Sequence, residues 1–184
     1  SFLGALASQP NIQLKLFNPF RLRRWRALEY LTDFFRLNRR MHNKSFTVDG
    51  QVAIVGGRNI GDEYFGASED VNFVDLDFAM VGPVVRDASA SFDRYWNSPA
   101  TYPIETLDPA GVTVDALNRL REELRAHVAQ AEQSRYAQAL RGDDAIKRMV
   151  AGDWPMQWTN NFRLVSVDPL KVTMKKKDAQ TTHV

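Results

Sequence analysis

His42-Asn43-Lys44-Ser45-Phe46-Thr47-Val48-Asp49-Gly50-Gln51-Val52-Ala53-Ile54-Val55-Gly56-Gly57-Arg58-Asn59 reads as two β-rich runs on either side of a turn. β-Branched and aromatic residues dominate both runs, and Asp49-Gly50 is the dipeptide that tolerates two successive left-handed residues, so a hairpin of residues 41–48 and 51–55 is expected. With a simple two-residue turn, Val48 faces Gln51, Lys44 faces Val55 and His42 faces Gly57. His42 and Lys44 stand two apart, so their side chains leave the same face of the sheet. Gly57 places no side chain beside His42, and Asn59, two further on, joins that face. An imidazole, a cation and an amide donor then converge where backbone can approach a ligand closely, a set suited to phosphoryl transfer without a metal.

Outward from the hairpin, residues 1–8 read as the end of a helix, and Ile12-Gln13-Leu14-Lys15-Leu16 alternates like a strand. Asn18-Pro19 punctuates the chain, after which Trp25, Leu28, Leu31 and Phe35 recur at helical spacing, predicting an amphipathic helix over about residues 21–38. Beyond the hairpin, Gly56-Gly57 and Gly61 open a loop, residues 73–81 read as a strand, and Gly82-Pro83 starts a helix through about residue 96. Pro99, Pro103 and Pro109 mark a connector. Leu117, Leu120, Leu124, Val128 and Ala131 then trace one face of a long helix over about 113–140, and Gly142-Asp143-Asp144 ends it and caps a short successor. Residues 162–167 are expected as a further strand. The abrupt start and the lysine-rich end suggest a fragment, with a domain over 1–168 and a linker or tail over 169–184.

The chain has 184 residues, enough for one domain with a real core at 44% apolar content. Its 24 basic and 22 acidic residues exclude a uniformly polycationic surface, so charge matters only where it clusters. The absence of cysteine removes disulfides, thiolate metal sites and thiol nucleophiles together. No apolar run approaches the roughly 20 residues that span a bilayer. Alternating strands and helices without a glycine-rich dinucleotide fingerprint indicate a layered α/β domain.

His42-Asn43-Lys44 followed by Asp49 matches the His-x-Lys-x4-Asp signature, and on it the sequence resembles the phospholipase D superfamily. Gly56-Gly57-Arg58-Asn59-Ile60-Gly61 resembles the Gly-Gly-x-Asn segment that follows this signature in bacterial cardiolipin synthases. Arg39-Arg40-Met41, Asp75-Leu76-Asp77, Gly82-Pro83-Val84-Val85 and Phe92-Asp93-Arg94-Tyr95-Trp96-Asn97 look most like the cardiolipin synthase C branch. The likeness runs from about residue 12 to 100, and Asp168-Pro169-Leu170-Lys171 resembles the linker between the two halves of such enzymes.

The resemblance implies a mixed sheet with helices on both faces, one half of a two-repeat enzyme. It also implies phosphatidyl transfer through a phosphohistidine, with no cofactor and no metal. Two His-Lys motifs serve one active site in this family, and this chain has one; His127 and His183 lack the accompanying lysine. The second imidazole then comes from a missing half or from a homodimer partner. By the resemblance, His42 is the nucleophile, Lys44, Gly57 and Asn59 bind the substrate phosphate, and Asp75 orients an imidazole. Asp49 completes the signature, but it is equally a turn former beside Gly50, and both roles stay open. Glu63 and Asp77 stand outside this primary set. Tyr95 and Trp96 suit either a lipid interface or the core.

Residues 21–44 carry eight basic side chains against Glu29 and Asp33. Such a patch fits an anionic membrane surface, the missing half, or plain solvation, with nucleic acid ranked behind phospholipid as the partner. The implied location is peripheral, on a bacterial inner membrane. The alternatives are a homodimeric phosphodiesterase or nuclease of the same superfamily, and an inactive half-domain.

Overall fold

A computed structural model of the chain describes residues 1–20, 34–37, 40–65, 70–153 and 155–172. Ser1 caps the first helix, α1 (Phe2–Ala7), its hydroxyl accepting from the Gly4 N–H at 3.2 Å. A strand follows at Lys15–Phe17 (β1), shorter than the alternation of residues 12–16 suggested. The amphipathic helix expected over 21–38 lies largely outside the described residues, of which Phe34–Leu37 (α2) is helical.

The hairpin forms as expected, from Lys44–Val48 (β2) and Val52–Gly56 (β3). Asp49 and Gly50 take φ of 50° and 65°, and the Gln51 N–H donates to Val48 O at 2.9 Å, which is the left-handed turn that Asp-Gly favours. Its register differs by one residue from the expected one. Val48 pairs with Val52, leaving Gln51 as an extra residue, so Lys44 faces Gly56 and Ser45 faces Val55. Asp77–Val81 (β4) pairs antiparallel on the far side of β3, with Gly56 opposite Asp77. Residues 73–76 of the expected strand have no ladder partners.

Gly82, at φ 86°, and Pro83 turn the chain into α3 (Val84–Trp96), the helix read from the sequence. Val84, Val85, Ala88, Ser91 and Tyr95 recur at helical spacing and are buried, while Asp87 in the first turn and Arg94 in the last suit the helix dipole. Val84, Val85 and Ala88 pack on Ala53, with Val55, Met80 and Leu164 around them. Val85 is 1% exposed, and its burial alone is worth about 1.5–3 kcal/mol. This core covers the sheet face carrying Ala53, Val55 and Met80. Phe46, Val48, Val52, Ile54 and Val81 occupy the other face by register and are exposed.

The proline connector holds a fifth strand, β5 (Thr101–Pro103), which pairs antiparallel with β1, and a one-turn helix, α4 (Ile104–Leu107). α1 packs against α4 and against α5 (Val114–Ala131), whose Leu117 and Leu120 are buried. The Thr113 hydroxyl starts α5 by accepting from the Ala116 N–H at 3.1 Å. The single helix expected over 113–140 is two, because the Ser134 hydroxyl accepts from the Ala137 N–H at 3.1 Å and caps a new one, α6 (Arg135–Gly142). Asp143 caps α7 (Asp144–Val150) in the same way, as the sequence suggested.

Residues 162–167 form no ladder; side chains hold this segment where a strand was expected. Past it, Pro169–Val172 is a short 3-10 turn, and the rest of the expected tail lies outside the described residues. The layered α/β class holds. Within it, every strand pairing among the described residues is antiparallel where a mixed sheet was expected, because each link in β2-β3-β4 returns the chain beside its predecessor. No helix among the described residues is long and apolar enough to cross a membrane.

Candidate active site

The row Lys44, Gly56, Asp77 runs across the three strands, and its middle position carries no side chain. That vacancy is used. A Cβ on Gly56 would stand 2.7 Å from Leu76 O and meet the Asp77 carboxylate, and a Cβ on Gly57 would stand 2.6 Å from Asp75 Oδ2. The two glycines therefore admit two acids against the backbone, which any side chain would displace.

Arg58 locks this arrangement. Its Nε donates to Asp77 Oδ2 at 2.5 Å, its Nη2 donates to Asp75 O at 3.1 Å, and its Nη1 donates to Tyr64 O. One guanidinium thus ties the glycine loop to the start of β4 and to the 3-10 turn Asp62–Tyr64. Asn59 follows, with its Nδ2 donating to the Tyr64 hydroxyl at 2.9 Å. Lys44, Gly56, Arg58, Asn59 and Asp77 all line one cavity of about 670 Å³. Its apolar lining comes from Phe17 of β1, Phe46 and Ile54 of the hairpin, and Phe92, Tyr95 and Trp96 of α3. A space of this size suits a small organic ligand.

The expected site residues divide. Lys44 and Asn59 share the cavity. His42 is exposed and does not line the cavity, and its imidazole makes no hydrogen bond or ion pair among the described residues. Alternation directs His42 and Lys44 alike only on strand backbone, and β2 begins at Lys44. The Lys44 Nζ turns back to donate to His42 O at 2.8 Å, which leaves two of its N–H donors for a ligand. In the observed register Gly57 is no longer the partner of His42, and Asp75 fills the space over it. The Asp75 Oδ1 accepts from the Leu76 N–H at 2.8 Å, and its carboxylate makes no hydrogen bond to the imidazole. Asp49 sits in the turn with positive φ, five residues along the strand from Lys44.

Two side chains escaped the sequence reading: Asn43, which pairs with Val167, and Arg58, which ties the loop. Tyr95, read from the sequence as interface or core, lines the cavity and is 7% exposed, with its hydroxyl donating to Val167 O at 2.8 Å. For Tyr95 the core reading is the correct one. Trp96 lines the cavity, its ring 5.4 Å from Phe92 and 4.4 Å below the Lys15 ammonium. Arg58 alone had a visible signal, being the one charge inside Gly-Gly-Arg-Asn.

Burial, reinforced by the Asp168 carboxylate and opposed by Arg94, raises the Tyr95 hydroxyl above its ordinary value of about 10. A raised acid favours the protonated folded state, so its contribution is complete below pH about 10 and fades as pH climbs through the folded value. Tyr95→Phe will therefore show a smaller alkaline loss of stability than wild type between neutral pH and pH about 11. Urea unfolding at both pH values measures it, and equal losses would refute the assignment.

No family model matches the chain, and no solved structure does. Over 178 residues it is 48% identical to cardiolipin synthase C of Escherichia coli, an alignment covering 95% of this chain and 36% of that protein. Over 99 residues it is 46% identical to an uncharacterized protein of Helicobacter pylori, covering 53% of this chain and 20% of the other. A cardiolipin synthase of Staphylococcus aureus is 42% identical over 67 residues, 36% of this chain and 14% of that one. The chain thus spans little more than a third of the first relative and less of the others. On these identities the chain is a relative of the bacterial cardiolipin synthases, which are members of the phospholipase D superfamily.

Proposed function

We propose that the chain takes part in phosphatidyl transfer between phospholipids, with His42 as nucleophile. An imidazole nitrogen of His42 attacks the phosphorus of a phosphodiester, the bond to the leaving glycerol oxygen breaks, and that oxygen takes a proton from a second imidazole. The hydroxyl of an acceptor lipid then attacks, giving its proton to the second imidazole and releasing His42. The second imidazole belongs to another His-Lys motif, elsewhere in a longer protein or on a second chain. Lys44 and Asn59 hold the non-bridging oxygens, where a partly dry cavity strengthens each donor. Asp75 serves the imidazole once His42 turns toward the cavity, and Asp49 acts through the turn that ends β2. Gly57 contributes by yielding its space to Asp75.

The observation that carries this reading is the contiguous His42-Asn43-Lys44 motif within a stretch 48% identical to a cardiolipin synthase, with Lys44 and Asn59 on one cavity. A peripheral position on an anionic inner-membrane surface follows from the same reading, each basic residue near the surface adding about 1 kcal/mol.

Phosphatidylglycerol vesicles with excess chelator provide the test. Cardiolipin and glycerol in equal amounts support transfer. Phosphatidic acid in place of cardiolipin, with a gel-filtration mass of two chains, supports the dimeric phosphodiesterase. No product from a well-folded protein supports the inactive half-domain.

A further inference from the structure

Asn43 stands between His42 and Lys44, and the transfer chemistry gives its side chain no part. Its Oδ1 accepts from the Val167 N–H at 3.2 Å while its Nδ2 donates to Val167 O at 3.4 Å. A side-chain amide here makes with a peptide the two-point pairing that peptides make in a sheet. The partners lie 124 residues apart. Two neighbours fasten the same segment, since the Tyr95 hydroxyl donates to Val167 O at 2.8 Å and Arg94 Nη2 donates to Ser166 Oγ at 3.0 Å. Leu164 packs on the core of α3 and the sheet. Residues 164–167 are therefore pinned without being a strand.

The pin falls where the backbone needs it. The β2 ladder begins at Lys44, so His42 and Asn43 have no strand partners to fix their direction. Anchoring Asn43 restrains the peptides on both sides of it, and those peptides carry the imidazole and the ammonium. Closing a loop of this length is costly, and a set of hydrogen bonds converging on one peptide is a specific way of offsetting it.

We propose that Asn43 is a positioning residue that couples the placement of His42 and Lys44 to the 164–167 segment. The effect on rate rests on the phosphatidyl-transfer reading; the effect on placement does not. When that segment is held, the motif is held, and whatever displaces it releases the motif.

The test combines kinetics with the ¹⁵N imidazole signal of His42, assigned by its loss in His42→Asn. Asn43→Ala will lower kcat in the vesicle assay by about tenfold to a hundredfold with KM within about twofold, because misplacement acts on geometry and spares binding. The His42 signal will shift while that of His127 stays. Tyr95→Phe will do the same more weakly, and the double variant will lose little more than Asn43→Ala alone, since both act through Val167. An unmoved His42 signal with unchanged kcat, or fully additive losses, overturns the coupling. Transfer that persists in His42→Asn overturns the transferase reading instead, and the imidazole signal then decides the coupling by itself.

Discussion

His42→Asn will reduce cardiolipin formation from phosphatidylglycerol by at least about a thousandfold, while binding to phosphatidylglycerol vesicles stays unchanged. Asparagine matches imidazole in breadth and polarity but has no nitrogen lone pair able to form a phosphoramidate, so the covalent step has no substitute. Lys44→Ala will cost about a hundredfold or more, the usual penalty for removing one donor from a developing anion. The difference separates the roles, because the lysine leaves the nucleophile in place. Vesicle co-sedimentation measured beside turnover shows that the loss lies in chemistry and not in docking. A His42→Asn protein that keeps a tenth of wild-type transfer would remove the imidazole from the mechanism, leaving the exposed position of His42 as a structural fact without a catalytic one.

Arg58→Ala should destabilise the fold by about 2 kcal/mol. Three acceptors lose their donor at once: Asp77 at 2.5 Å, Asp75 O at 3.1 Å and Tyr64 O. Removing one partner of a fully buried pair costs about 3–5 kcal/mol, but these side chains are 29% and 26% exposed, so water takes up part of the loss. Arg58→Lys keeps the charge without the planar fork, reaches one acceptor instead of three, and will recover less than half. Urea unfolding gives the number, and a loss below about 0.5 kcal/mol for alanine would mean that the glycine loop holds itself. The same variant frees Asp77 to accept from Lys44 across Gly56, so transfer should fall more than stability implies.

Local chemistry made much of this fold legible. Asp49-Gly50 announced the hairpin, Gly82-Pro83 the start of α3, and Asp143 its helix, because each acts on backbone within three residues of itself. The register escaped because Gln51 is silent: an extra residue after a left-handed turn changes every pairing without any chemical mark of its own. Ser134 was passed over because the helix traced by Leu117 to Ala131 was carried on to about residue 140, whereas the Ser134 hydroxyl caps a new helix. The candidate site was legible as a motif and not as a place. Part of its lining comes from β1 and α3, and its ties run from Asn43 to Val167 and from Arg58 to Asp77, distances in sequence that no periodicity spans.

Phe46, Val48, Val52, Ile54 and Val81 leave one side of the sheet wetted. Water ordered over such a surface makes the molecule salt-sensitive in a particular sense: sulfate, which is excluded from protein surfaces, will drive self-association at concentrations where chloride of equal ionic strength does not. Colloidal behaviour, more than charge, will therefore set the conditions under which this protein can be handled.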